Sequence, residues 1–280
     1  MLKRIITGIV AIAIFVPICI ASHYDNWNII FPIAVSLLSA VGVFEMSKCL
    51  GYHKNIFLTL PFYLTALILP LLKWYTNFPN GIIIVIASII IFAILIYVLS
   101  YTMIVNGKTK KELKICDALT LFALNFYVIG CFTSIYMVRT SINGRYMYIL
   151  VFLGAWLCDT FAYFVGVLFG KHKLIPKISP KKTIEGAIGG IVFTVVGFAL
   201  YALILNNTLS ANLSYVKLCI LGLVLSVISQ IGDLVASLIK RQYDIKDYGA
   251  IFPGHGGVLD RFDSVMLVSP VLFILNILIG

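Results

Sequence analysis

The segment GHGGVLDRFDS, Gly254 to Ser264, gathers His255, Asp260, Arg261 and Asp263 among three glycines, directly ahead of the apolar run VMLVSPVLFILNILIG. If a helix begins at LDRFDS, Asp260 and Asp263 share one of its faces, and the dipole at its N-terminus favours both carboxylates. Upstream, ISQIGDLVASLIKR sets Asp233 inside an apolar stretch, with Ser237, Lys240 and Arg241 following on the same helical face. Two arrangements fit Asp233. It hydrogen-bonds a neighbouring helix while Lys240 and Arg241 snorkel to the membrane surface, or it converges with Asp260 and Asp263 at the ends of two consecutive spans. Convergence puts carboxylates amid Lys and Arg beside glycine-rich backbone. That composition suits Mg²⁺ and phosphate, because Mg²⁺ is held by one or two carboxylates plus substrate phosphate oxygens. Backbone N–H groups at Gly256 and Gly257 can approach phosphate closely. The set fits phosphoryl or nucleotidyl transfer better than a proton relay.

A second basic stretch, GKHKLIPKISPKKTIEG from Gly170 to Gly186, carries five lysines. Pro176 and Pro180 stiffen it, and Lys182 with Thr183 at the start of the next helix offers a phosphate cradle. Glu185 there serves equally as a partner of the helix dipole. On the preceding run, CDTFAYFVGVLFG places Asp159, Tyr163 and Gly166 on one face, while Gly166 and Gly170 form a GxxxG that reads as a close helix contact. An ionised carboxylate inside such a run costs about 2.5–3.5 kcal/mol on the insertion scale. Asp159 and Asp233 therefore need compensating partners.

The elements that hold these residues are membrane helices. The chain is 61% hydrophobic and 11% charged, whereas soluble domains carry about 25% charged residues. Nine apolar runs are long enough to span a bilayer, at about 5–22, 28–44, 56–72, 81–104, 117–138, 147–169, 184–205, 215–238 and 264–280. They are too long and too uniformly apolar for barrel strands, so the expected fold is an all-α, polytopic membrane protein. The first run has the flanks of a signal peptide but a poor cleavage site, and it is read as the first span. With the N-terminus inside, Lys73, Arg139, Arg145 and Lys217 fall outside, and the other 17 of the 21 Lys and Arg residues lie in the cytoplasm. The formal net charge of +10 thus belongs to one membrane face, where it also attracts anionic lipid. No nucleic-acid partner is expected.

The six cysteines lie singly in or beside apolar runs and read as small core residues rather than metal ligands. One membrane domain, 1–280, accounts for the chain, with plain N-terminal helices in 1–146 and catalytic helices and cytoplasmic loops in 147–280. Seven of the eleven acids fall in the second half, while Asp25, Glu45, Glu112 and Asp117 in the first half read as span-end or loop residues on a solvated face.

The continuous segment SLIKRQYDIKDYGAIFPGHGGVLDRFD, Ser237 to Asp263, resembles the signature of the phosphatidate cytidylyltransferase, or CDP-diacylglycerol synthase, family. The upstream CDTFAYFVGVLFGKHKLIPKISPKKTIEG is also similar to that family. The resemblance covers the motifs of residues 150–264, and the earlier part matches in hydropathy. It implies transfer of CMP from CTP to phosphatidic acid in the bilayer, giving CDP-diacylglycerol and pyrophosphate for phospholipid synthesis at a bacterial inner membrane, with the site facing the cytoplasm. It further implies that Asp233, Asp260 and Asp263 hold Mg²⁺, alone or with a second cation. Lys182, Lys240, Arg241, Lys246 and Arg261 then meet substrate phosphates. His255 donates to phosphate or orients its loop, and Ser179, Thr183, Asp159 and Tyr163 complete the substrate-binding set. Two rivals are a CTP-using membrane kinase or transferase, and an ion-coupled transporter built on Asp159 and Asp233. Against the transporter, the first half shows no matching acids and no inverted repeat. Oligomeric state, a homodimer included, stays open.

Overall fold

The computed structural model describes residues 13, 15–21, 24, 27–76, 79–108, 114–141, 143–252 and 256–279. The expected first span falls mostly outside them, as do Asp25, Glu112 and His255. Eight long helices follow among the described residues: α1 Ile30–Cys49, α2 Ile56–Thr76, α3 Asn80–Lys108, α4 Ile115–Arg139, α5 Gly144–Phe169, α6 Ile184–Leu209, α7 Tyr215–Gln242 and α8 Leu259–Ile279. Each is long and apolar enough to cross a membrane, and a helix satisfies its polar backbone groups internally, as lipid requires. The protein is an all-α polytopic membrane protein, as expected.

One feature departs from that expectation. A short antiparallel hairpin, β1 Lys173–Ile175 and β2 Ser179–Thr183, forms in the lysine-rich connection between α5 and α6, with Lys173 opposite Thr183 and Ile175 opposite Ser179. Ile178 N–H bonds Ile175 O at 3.3 Å across the turn that holds Pro176, a position where a fixed φ helps the reversal.

The chain forms two compact units, Met1–Met137 with Asp247–Arg261, and Val138–Lys246 with Phe262–Gly280. In the first, α1 packs on α2 and α2 on α3, and Phe62 meets Phe126 edge-on at 5.6 Å between ring centroids. Gly42 belongs to this packing, since a Cβ there would lie 2.9 Å from Val128 Cγ1 and 3.1 Å from Leu259 Cδ2. In the second, α5, α6 and α7 pack mutually, with the hairpin against α5 and α6. Phe198 of α6 is fully buried, and Cβ atoms built at Gly154 of α5 and Gly222 of α7 would lie 3.4 and 3.2 Å from its ring. Small residues matter here because lipid is as apolar as the helices, so close van der Waals packing drives association.

The GxxxG glycines serve close packing, as the spacing suggests. A Cβ at Gly166 would meet Thr183 Oγ1 at 2.9 Å, and one at Gly170 would meet Thr183 Cγ2 at 2.7 Å. Thr183 itself caps α6, its hydroxyl accepting from Gly186 N–H at 3.1 Å. That bond satisfies one of the orphan donors of the first turn.

Candidate functional site

In the second unit, the membrane-embedded acids find their compensating partners. Lys182 at the end of β2 extends its ammonium to 2.6 Å from Asp233 Oδ2 on α7, and each side chain is 24% exposed. Ser237, one turn along α7, donates to Asp233 Oδ1 at 3.4 Å. Asp159 on α5 accepts from Ser264 Oγ of α8 at 2.7 Å. Asp263, next to that serine, accepts from Ser264 N–H at 2.9 Å, and its charged neighbours are Asp233, Lys240 and Asp159. Three carboxylates and two lysines thus share one neighbourhood on α5, α7, α8 and the hairpin. Such density of like charge is costly in a low-dielectric setting unless cations offset it.

The hairpin is held in place by Glu185, whose carboxylate accepts from the backbone N–H of Lys171 at 3.1 Å and of His172 at 3.2 Å, with His172 Nδ1 at 2.6 Å. Ile184 N–H closes onto His172 O at 2.9 Å. Glu185 therefore ties the hairpin to the start of α6, beyond the dipole role its position suggests. This fixes the strand that carries Lys182.

In the first unit, the signature segment is anchored by two buried acids. Asp260, 6% exposed, takes Tyr248 N–H at 2.8 Å and Gly257 N–H at 2.9 Å on its Oδ2. Glu45 of α1, 1% exposed, takes Val258 N–H at 3.0 Å on Oε1 and Leu259 N–H at 2.8 Å on Oε2. Gly249 and Gly257 lie so close to the Glu45 carboxylate that a Cβ at either would collide with it. Gly256 has φ +84°, and a Cβ there would lie 2.7 Å from Asp260 Oδ2. Phe252 N–H bonds Gly256 O at 2.9 Å.

These contacts correct two expectations. Gly257 N–H does not stand ready for phosphate, because the Asp260 carboxylate already receives it. Within the first unit Asp260 Oδ2 receives the loop amides of Tyr248 and Gly257, and within the second Asp263 has Asp233, Lys240 and Asp159 as charged neighbours. Glu45 is not on a solvated face. Its only signal in the sequence is an acid within the apolar run that precedes MSKC.

The remaining predicted residues lie as follows. Lys240 and Ser179 are half-buried, Arg241, Lys246 and Arg261 are exposed, and Tyr163 is 66% exposed on the outer face of α5. Ser264, the partner of Asp159, carries no signal of its own in the sequence.

No three of the described His, Cys, Asp and Glu side chains are arranged as a ready metal cage. The donor set in the second unit nevertheless fits a hard cation, since Asp233, Asp263 and Asp159 offer only oxygen. The Lys182 ammonium, 2.6 Å from Asp233, stands where positive charge is needed.

A family model described as the cytidylyltransferase family matches residues 2–278. The chain is 37% identical over 285 residues to a protein of Bacillus subtilis named phosphatidate cytidylyltransferase, covering 98% of this chain and 97% of that one. It is 35% identical over 275 residues to one so named from Staphylococcus haemolyticus, covering 98% of each. A Staphylococcus aureus protein of the same name is 35% identical over 277 residues, again covering 98% of each.

Proposed function

The chain belongs to the cytidylyltransferase family, and from that premise we propose that it transfers CMP from CTP to phosphatidic acid, yielding CDP-diacylglycerol and pyrophosphate. The observation that carries the reading is the cluster of Lys182, on the hairpin, with Asp233, Asp263 and Asp159 on membrane helices. A lipid phosphate can reach such a cluster while its acyl chains stay in the bilayer.

In the reaction, a phosphate oxygen of phosphatidic acid attacks the α-phosphorus of CTP. The bond from that phosphorus to the oxygen bridging the β-phosphorus breaks, and pyrophosphate leaves with the electron pair. Both reactants are anions, so catalysis is largely positioning and charge neutralisation. Lys182 and Lys240 supply fixed positive charge beside the acids. Arg241 and Lys246, exposed at the end of α7 and beyond it, take up flanking phosphates, and the signature assigns Arg261 to the same anions. Asp233 and Asp263 are the residues that would hold Mg²⁺, with Asp159 oriented beside them by Ser264. Bound there, the cation would neutralise charge on the transferring phosphoryl group.

The distribution of Lys and Arg supports a cytoplasmic site, and the bacterial origin of the relatives supports a plasma-membrane location. Purified protein supplied with cytidine-labelled CTP and Mg²⁺ should label lipid only when phosphatidic acid is present. Label-free lipid from folded protein supplied with both substrates and Mg²⁺ would refute the reading.

A further inference from the structure

The signature segment enters α8 through a turn whose backbone donors need acceptors, because the first N–H groups of a helix have no partner within it. Here the acceptor is an acid distant in sequence. Glu45 sits inside α1, 1% exposed, and grips Val258 N–H and Leu259 N–H with its two oxygens at 3.0 and 2.8 Å. Gly249 and Gly257 press against the same carboxylate, with no room for a Cβ at either. A carboxylate that accepts from two adjacent amides fixes both the position and the direction of the helix start. Asp263 lies four residues beyond Leu259 in that helix, so the azimuth of Asp263 depends on where α8 begins.

We infer that Glu45 is a positioning residue for the signature: its charge sets the entry of α8 and thereby the orientation of Asp263. The inference rests on the cytidylyltransferase reading for its activity arm alone. Glu45 meets no reacting atom in this scheme. It acts through the backbone of Val258 and Leu259. A neutral amide of the same shape cannot replace it, since Gln presents one N–H₂ group to a backbone donor where Glu presents an acceptor.

The test uses detergent-purified full chain and compares wild type, Glu45→Gln, Glu45→Asp and the exposed first-half control Asp117→Asn. Turnover and the apparent Mg²⁺ requirement are measured alongside peptide-resolved amide hydrogen exchange. Glu45→Gln should lower turnover about ten- to a hundredfold, the usual scale for removing a group that orients a ligand, and raise the Mg²⁺ needed for half-maximal rate. Exchange should quicken in peptides covering residues 247–252 and 256–261 and stay unchanged in α5 to α7. Glu45→Asp, too short to reach both amides but still charged, should fall between wild type and Glu45→Gln and keeps the test decisive if the Gln variant does not purify. Asp117→Asn should match wild type. Wild-type turnover with an unshifted Mg²⁺ requirement in Glu45→Gln overturns the inference, as does exchange that quickens throughout both units. Inactive wild type would instead sink the cytidylyltransferase reading, while the exchange pattern still decides whether Glu45 positions the turn.

Discussion

Lys182 Nζ lies 2.6 Å from Asp233 Oδ2, joining the hairpin to the middle of the α7 face that ends in Lys240 and Arg241. Neither side chain is solvated well enough to stand alone, at 24% exposure each. Removing one partner leaves the other charged in a poorly solvated place. Asp233→Asn and Lys182→Ala should each reduce turnover about a hundredfold or more. The double variant should be little worse than either single one, because residues that act as a unit are non-additive. Kinetics of the three proteins at saturating CTP check this, and multiplicative losses would separate the two roles.

Asp260 and Asp263 should behave differently despite their spacing. Asp263→Asn should abolish turnover, or restore it in part only at much higher Mg²⁺, while exchange at Tyr248 and Gly257 stays slow. Asp260→Ala should quicken exchange at those two amides, which its Oδ2 receives in the folded protein. Mg²⁺ titration and exchange on the same preparations distinguish a cation ligand from a loop anchor.

The glycines of the signature offer a steric test. Gly257→Ala forces a methyl into the Glu45 carboxylate, and Gly256→Ala places a side chain at φ +84° against Asp260, so each should cost at least about 1 kcal/mol and most of the activity. Gly130→Ala, where a Cβ meets nothing within 4 Å, should be silent. Thermal unfolding and turnover of the three variants read this directly.

Much of the fold is legible in the sequence because a lipid-embedded helix announces itself by length and composition. The apolar runs at 56–72, 184–205 and 215–238 become α2, α6 and α7 with starts unchanged and ends extended by about a turn. Lys, Arg and Gln at such ends look like loop residues, yet their backbones still continue the helix. The hairpin was not legible. Its strands are short and β2 is Pro- and Lys-rich, and the Glu185 carboxylate that holds the Lys171 and His172 amides ahead of it is a contact that spacing does not announce. The Asp159, Asp233 and Asp263 neighbourhood was partly legible, since acids in apolar runs demand partners. Which partners they take depends on tertiary packing. Asp260 and Asp263 share a helical face by spacing, but residues three apart still differ by about 60° around the axis. That angle lets Asp260 take the loop amides of Tyr248 and Gly257 while Asp263 has Asp233 and Lys240 as neighbours. Glu45 was hidden for a simpler reason: an acid near the end of an apolar run looks the same whether it meets water or a backbone donor.

Membrane sidedness can be checked without activity. Single cysteines at Lys173, Lys181 and Asp244, in a background with native cysteines replaced, should label from the cytoplasm, and one at Asn207 from outside, as the distribution of Lys and Arg requires. Outside labelling at Lys181 would put Lys182 on the wrong side for CTP.

Basic residues assigned to the site, Lys182 by its ion pair and Arg261 by the signature, should matter more than basic residues elsewhere. Lys182→Ala and Arg261→Ala should lower turnover about a hundredfold, and Lys114→Ala, exposed beside α4, should change it little. Equal losses in all three, rescued by raising the phosphatidic acid surface fraction, would reduce these residues to generic membrane charge.

The central claim concerns which phosphorus of CTP reaches the lipid. Purified protein in mixed micelles with phosphatidic acid and Mg²⁺ should be given CTP labelled at either the α- or the γ-phosphorus. The α-label should appear in lipid only with phosphatidic acid present, and the γ-label should leave entirely as pyrophosphate. Transfer of the γ-label to lipid would make the protein a CTP-dependent lipid kinase and contradict the account.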